Sequence, residues 1–360
     1  MFSPLVRKRF EAFRRIRRSW WALWALVALF AFCLAADVVC PCDPKAVVDV
    51  RTLEKYRTPV AERVYDVRTV RFNRLDDGTV TDFEGPRDYR EEDYVRRETR
   101  RAGYTRVFLE PKTPPAVTTV ARPAPEISFP FRPVPEHPFG IDVGGRDVYA
   151  RVIHGLRIAL VFGLVLTLSG MFFGLVIGAV EGYFGGKTDI VLQRFTEIWS
   201  AMPFLYVMIF IGSTVGRGFA VLLVCYAAFN WITVSYYLRA EFLRLRGCTY
   251  VEAAKVHGCS TARVIFGHVL PNALTPLVTL FPFMLMGAIG SLAALDFLGF
   301  GLPPMTPSCG ELLAEAQQFR GAWWLILFPA LALFVVMLLT VLVGEGLREA
   351  FDPRQRSRLE

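Results

Sequence analysis

Apolar residues fall into six blocks along this chain, with polar residues filling the gaps between them. The blocks cover residues 20–39, 158–180, 198–215, 218–238, 269–295 and 321–344. The hydrocarbon core of a bilayer is about 30 Å thick, and a helix needs roughly 20 apolar residues to cross it. Each block therefore predicts one membrane-spanning helix. The first block has a single charge, Asp37, near its end, and the other five have none. The third is the shortest, so its helix is expected to run past Val215 or to tilt less than its neighbours. The fifth contains Pro271, Pro276 and Pro282 and should be the least regular. Membrane helices tolerate proline where neighbouring helices or water satisfy the freed carbonyls. For the first block a cleaved signal peptide is the alternative, because seven basic residues precede it. Its length exceeds the usual apolar region of about 7–15 residues, which favours an uncleaved span.

The gap between the first two blocks is long, at residues 40–137, and reads as an insertion outside the membrane. Within it "VRTVRFNRL" alternates at a period near two, and "LDDGTVTDF" carries a turn signal, so a β-hairpin is expected. "REEDYVRRETRRAGY", residues 90–104, has charges at helical spacing and a late Gly, and predicts a short exposed helix. The Pro-rich run at residues 110–140 reads as an extended linker. From Val148, apolar positions recur at near-helical spacing, predicting an interfacial helix before the second span. Five spans then follow closely, in a core at residues 138–347.

Composition agrees with a membrane chain: 360 residues are 53% hydrophobic, and mean hydropathy is +0.37. The net charge of +8 is unevenly placed. Residues 1–19 hold seven basic residues and one acidic, residues 239–263 five and two, and residues 40–150 nineteen of each. Lys and Arg near span ends stay cytoplasmic. The tail at 1–19 is thus expected inside and the insertion outside. Six crossings return the tail at 348–360, with Arg348, Arg354, Arg356 and Arg358, to the cytoplasm. Basic residues beside membrane spans are a topology signal, and no nucleic-acid partner is expected. On this topology Cys40, Cys42 and Cys309 face outside, and Cys309 pairing with one of the other two stays open.

Candidate chemistry is sparse. There is no HExxH and no GxSxG. His137 and His154 lack metal-ligand companions. Gly186-Lys187-Thr188 is the tail of a phosphate-binding loop, but Glu181 stands where its first Gly belongs, and a membrane span precedes it instead of a strand. It reads as a turn joining spans two and three. No catalytic residue, no metal ligand and no cofactor of the chain's own is expected. The five later span cores lack ionisable groups, which argues against a proton-coupled carrier.

One cytoplasmic gap, at residues 240–272, is ordered beyond what a loop needs. "YVEAAKVHG", residues 250–258, predicts a short helix with Glu252 near its positive N-terminus. Ala253 and Ala254 are small enough to admit another surface closely, and Gly258 can end the helix at positive φ. Ser260 or Thr261 would cap a second helix, and Pro271 marks re-entry to the membrane.

At these residues the sequence resembles the permease subunits of bacterial ABC importers. Their cytoplasmic signature is EAA, three residues, Gly, nine residues, then Ile-x-Leu-Pro. Here Glu252-Ala253-Ala254, Gly258 and His268-Val269-Leu270-Pro271 keep that spacing. "HPFGIDVGGRDVYARVIHGLRIAL", "GYFGGKTDIVLQRFTEIWSAMPFL" and "DFLGFGLPPMTPSCGELLAEA" resemble segments of the oligopeptide and dipeptide branch, where Asp296 and Cys309 replace the usual Ser and Trp. The insertion most resembles the Yej-type group, importers of microcin C and oligopeptides. The resemblance implies an all-α type I importer fold with six transmembrane helices. It also implies a second homologous permease, two ATPases that bind ATP and Mg, and an extracytoplasmic peptide-binding protein. Glu252, Ala253, Ala254, Gly258, Leu270 and Pro271 would be the ATPase-coupling residues. Nickel, glutathione or dipeptide cargo, or a stand-alone membrane enzyme or receptor, are the competing readings.

Overall fold

The computed structural model describes residues 4–40, 42–56, 60–65, 69–84, 91–111, 117–122 and 127–351. Arg354, Arg356 and Arg358 lie outside these. The chain forms two compact units, residues 49–127 and the remainder. Helix α1, Pro4–Arg15, leads into α2, Arg17–Leu34, which is the first span. A short α3, Ala36–Val39, continues it after a break at Ala35. Phe13 is buried beside Ser19 and Gly346, and Trp20 packs edge-on to Phe10 and Phe13.

The smaller unit holds α4, Val50–Leu53, and six strands: β1 Val60–Tyr65, β2 Val70–Leu75, β3 Val80–Glu84, β4 Tyr94–Arg101, β5 Tyr104–Pro111 and β6 Val117–Arg122. The expected hairpin is present as antiparallel β2 and β3, closed by a turn with Gly78 at φ +87°. The expected helix over residues 90–104 is not. Residues 94–101 form β4, hairpinned to β5 across Ala102 and Gly103. A helix here would have almost nothing apolar to bury. The strand instead lets Tyr94 join Val70, Phe72, Val107 and Leu109 in a buried cluster. Burial of Tyr94 and pairing with β5 thus override helical charge spacing, although the rest of β4 is exposed. These strands order as β3-β2-β5-β4, and β6, inside the Pro-rich run, pairs antiparallel with β1.

The larger unit is helical. Helix α5, Val148–Phe184, has 37 residues and is capped by Asp147, whose carboxylate accepts from Tyr149 N–H at 2.7 Å. At 1.5 Å per residue it spans about 55 Å, well beyond the bilayer core. The interfacial helix expected at Val148 is therefore the first turns of this span. The third block does not form one straight helix. It is divided between α6, Gly186–Ser200, and α7, Phe204–Thr214, bent by 70° at a break before Phe204. Pro203 cannot continue the ladder of α6, which explains the break. The turn expected at the lysine-threonine motif lies one step earlier. Gly185 and Gly186 take φ +64° and +58°, while Lys187 and Thr188 already belong to α6.

Helix α8, Phe219–Arg246, is followed by α9, Thr249–Val256, and by α10, Thr261–Arg263. A π-helical stretch, Val264–Val269, joins α10 to α11, Leu270–Phe297. It sits immediately before Pro271, whose missing N–H and ring disturb the α register. Leu270 N–H bonds Ile265 O, five residues back. Helix α12, Cys309–Gln318, and α13, Trp324–Phe351, complete the unit. Among the described residues five helices are long and apolar enough to cross a membrane, or six if the bent pair is counted as one span.

Helices α5 and α8 pack through a glycine ladder. Gly170, Gly174, Gly178 and Gly182 recur every fourth residue and face α8. A Cβ on Gly174 would lie 2.5 Å from Val234 Cβ, and one on Gly178 would lie 2.6 Å from the Ser235 carbonyl. Small residues at this spacing let membrane helices approach until their backbones touch.

Candidate functional site

Helix α9 is held from one side only. Val251 and Ala254 are buried against Phe242 and Leu245 of α8, Val264 and Val269 of the π-helical stretch, and Ala273 of α11. Lys255 Nζ lies 5.6 Å over the Tyr183 ring at the end of α5. The C-terminus closes as a Schellman motif: Gly258 N–H bonds Lys255 O at 3.0 Å, and Cys259 N–H bonds Ala254 O at 3.1 Å. Gly258 sits at φ +76°, where a Cβ would be strained. Of the two expected caps, Ser260 is the one used, its Oγ accepting from Arg263 N–H at 3.4 Å. Asn272 Nδ2 ties the far end by donating to His268 O at 2.9 Å and to the Tyr250 hydroxyl at 3.4 Å.

The two alanines of the motif differ in position. Ala254 faces inward and fits the α8–α11 contact, whereas Ala253 faces out beside Glu252. Val256 on the same helix is 86% exposed, and Phe266 on the π-helical stretch is 68% exposed. Gly258 and Pro271 are also exposed, and Leu270 is half-buried at the edge of the cluster. The segment is therefore a rigid plug with an exposed small-and-apolar tip. Nothing in the structure explains the choice of His at 268.

A second polar assembly lies at the opposite end of the helices, and sequence reading missed it. Arg151 is fully buried. Its guanidinium reaches Asp142, Glu315 at 2.9 Å and Glu311 at 2.5 Å. Arg146 Nε adds a 2.8 Å bond to Asp142. Two cations thus hold three carboxylates and lock the turn before α5 onto α12. Burial pushes the Glu315 carboxyl up, with Arg151 opposing. Glu311 and Glu315, four residues apart, were the available signal, since that spacing puts both on one helical face. His137 belongs here too, bonding Asp147 at 2.5 Å through Nδ1.

Asp296 organises the next loop. It accepts from Leu302 N–H at 2.7 Å and from the Ser308 hydroxyl at 2.5 Å. Cys309 follows as a buried free thiol pushed up to about 12 by burial, so it stays protonated. Cys40 and Cys42 are free as well. Asp296→Ala removes both bonds to the loop at residues 298–308, at about 1–3 kcal/mol of local order. Limited proteolysis is expected to cut the variant there and spare the parent chain.

Ionisable groups also reach further into the helices than the apolar blocks implied, because α5 outruns its block at both ends. Glu181 is 1% exposed and accepts from the Ser235 hydroxyl at 3.3 Å. Beside it Arg239 of α8 makes a bidentate pair with Asp189 of α6, at 2.5 and 2.7 Å. Arg194 and Glu197 pair at 2.5 Å along α6, as their spacing suggested.

Known proteins are similar to this chain in sequence. The profile of binding-protein-dependent transport system inner membrane components matches residues 170–357. The peptidoglycan transport system permease protein YejE of Agrobacterium fabrum is 35% identical over 99% of this chain and 95% of its own length. The inner membrane ABC transporter permease protein YejE of Escherichia coli is 36% identical over 98% of each chain. The dipeptide transport system permease protein DppC of Alkalihalophilus pseudofirmus is 34% identical over 62% of this chain and 74% of its own. The matched region holds the glycine ladder, α9 and the Asp296 loop, and the full-length matches add the insertion. The chain belongs to the binding-protein-dependent transport system inner membrane components, as a multi-pass permease subunit.

Proposed function

We propose that the chain is one of two permease subunits in an ATP-driven importer that carries peptides inward across the bacterial cytoplasmic membrane. The observation that carries this reading is α9, exposed at its tip and packed rigidly at its base. Two cytoplasmic ATPases would bind ATP and Mg and supply the work. One ATPase would hold the face around Glu252, Ala253, Val256 and Gly258. Its movement on ATP binding and hydrolysis would reach α8 and α11 directly, because Val251 and Ala254 leave no slack between α9 and those helices. Packed cores respond by shifting as units and not by deforming. Helices α8 and α11 would then rock, α5 following α8 through the glycine ladder, and open a central path alternately to each side. The Arg151 assembly would keep the outer ends of α5 and α12 together during that motion.

Charge placement supports N- and C-termini in the cytoplasm and the insertion outside. Relatives named for oligopeptide, dipeptide and glutathione transport support short peptides as cargo. A binding protein outside the membrane would select and deliver them, and oligopeptides or microcin C-like conjugates fit the resemblance of the insertion. Gly258→Asp forces a side chain onto positive φ, and Ala253→Glu puts bulk and charge at the tip. Both variants are expected to insert normally, to lose ATPase co-purification and to cut peptide uptake at least tenfold. Normal uptake by a variant that no longer retains ATPase would sink the coupling reading. Competition of labelled oligopeptide by dipeptide, glutathione or nickel fixes the cargo class.

A further inference from the structure

The four-stranded sheet of the insertion has two unlike faces. Val70, Phe72, Val107 and Leu109 are buried on one. Strand alternation puts Arg71, Arg97, Arg101 and Arg106 on the other, and all four are exposed. Cross-strand register sets Phe108 between Arg71 and Arg97, and Tyr104 beside Arg101. Both rings are half-buried, and the Arg71 guanidinium lies 5.7 Å over the Phe108 ring. Three carboxylates also reach this face: Glu110, 3.6 Å from Arg97 in an exposed pair, Glu84, opposite Arg71 in the register, and Asp82, which accepts from Asn73 Nδ2 at 2.8 Å while Asn73 Oδ1 accepts from Arg106 Nε at 3.2 Å. Exposed pairs of this kind are worth little in water, and four guanidinium groups against three carboxylates leave the face a small positive excess.

Arginine on an edge strand guards against sheet-to-sheet association. That accounts for Arg97 and Arg101 on β4. It does not account for Arg71 and Arg106, because β2 and β5 are the inner strands. Residue choice narrows the reading further. Residues 67–111 contain no lysine at all. Solubility alone would accept lysine, whereas protein interfaces enrich Arg and aromatic residues and deplete Lys. Aromatic rings at the centre with guanidinium groups around them are the composition of an interface hot spot.

We propose that this face docks an acidic surface patch of the extracytoplasmic solute-binding protein. The proposal rests on the importer reading above and names the surface that reading leaves unassigned. Arginine forks would meet carboxylates bidentately, and Phe108 and Tyr104 would be covered at the centre. Long-range attraction between the two faces would speed encounter and make it salt-dependent.

The test uses the whole importer in nanodiscs and the solute-binding protein encoded with it. Reversing the face (R71E/R97E/R101E/R106E) is expected to weaken binding at least tenfold and to flatten its salt dependence. ATPase activity without binding protein should stay unchanged. A second variant, R74E/R100E, reverses charges whose register lies on the opposite face and should bind like the parent. Phe108→Ala, which leaves every charge in place, should weaken binding without changing the salt slope. Undiminished binding by the four-site variant overturns the docking assignment alone. Equal losses in the four-site and two-site variants also overturn it, since the attraction would then be unspecific. No recruitment by the parent importer overturns the importer reading itself.

Discussion

Gly178→Leu is expected to separate α5 from α8 and to leave little folded permease in the membrane. The smallest addition at this position already meets backbone: a Cβ would lie 2.6 Å from Ser235 O and 3.0 Å from Arg239 N. A side chain that meets a flexible partner can be accommodated, but one that meets two peptide groups must move a helix. Overpacking by single methylenes costs about 1–3 kcal/mol, and a whole isobutyl group exceeds that range. The Ser235 hydroxyl bond to Glu181 and the Arg239–Asp189 pair depend on the same approach and would be lost with it. Glu181 would then stand unpaired between two separated helices. The measurement is the melting temperature in detergent together with the yield of monodisperse protein. Gly287→Ala is the comparator, because a Cβ there has open space around it, and the variant should melt within a few degrees of the parent. Equal melting of Gly178→Leu and the parent would show that the ladder is not a tight contact.

Arg151→Met is expected to cost about 3–5 kcal/mol, the range for breaking one side of a buried ion pair. The side chain is fully buried and serves three carboxylates from two parts of the chain. Methionine fills much of the same volume, so the loss is electrostatic and not a cavity. The pH dependence distinguishes the two. Glu315 already has its carboxyl raised by burial, and removing Arg151 takes away what opposes the rise. A carboxyl raised in the folded state binds more protons folded than unfolded, so stability grows as pH falls through its folded value. The variant should therefore regain melting temperature between neutral and mildly acidic pH more steeply than the parent. Adding Glu315→Gln to Arg151→Met should recover part of the loss at neutral pH. If the double variant is no better than the single one, packing and not charge holds α12 to the turn before α5.

Much of this protein was legible in one dimension because a membrane imposes its own grammar. Length and apolarity predict spans, since unsatisfied peptide groups are intolerable in hydrocarbon and only a continuous helix removes them locally. The Schellman end of α9 was legible too, as Gly258 is the one residue type that accepts φ +76° without strain. Boundaries were less legible. The third block hid a 70° bend, because Pro203 and its neighbours are apolar enough to pass as span. The charged run at residues 90–104 misled because charge spacing says little where both faces carry charge. There the register followed Tyr94 and its cross-strand neighbours.

The sequence by itself determined the number of apolar blocks, the uneven placement of basic charge beside them, and the spacing of the α9 motif. These are local properties, set by each segment's exchange with water or lipid and by the φ that single residues allow. Tertiary structure alone decided which of Ala253 and Ala254 faces outward. It decided that Gly170, Gly174, Gly178 and Gly182 meet one particular helix, and that Arg151 joins nearby Asp142 to Glu311 and Glu315 from more than 150 positions away. Such pairings are worth their cost only when helices distant in sequence are already packed together. No one-dimensional pattern carries that condition, since the desolvation of each charge is repaid by a partner whose position the fold supplies.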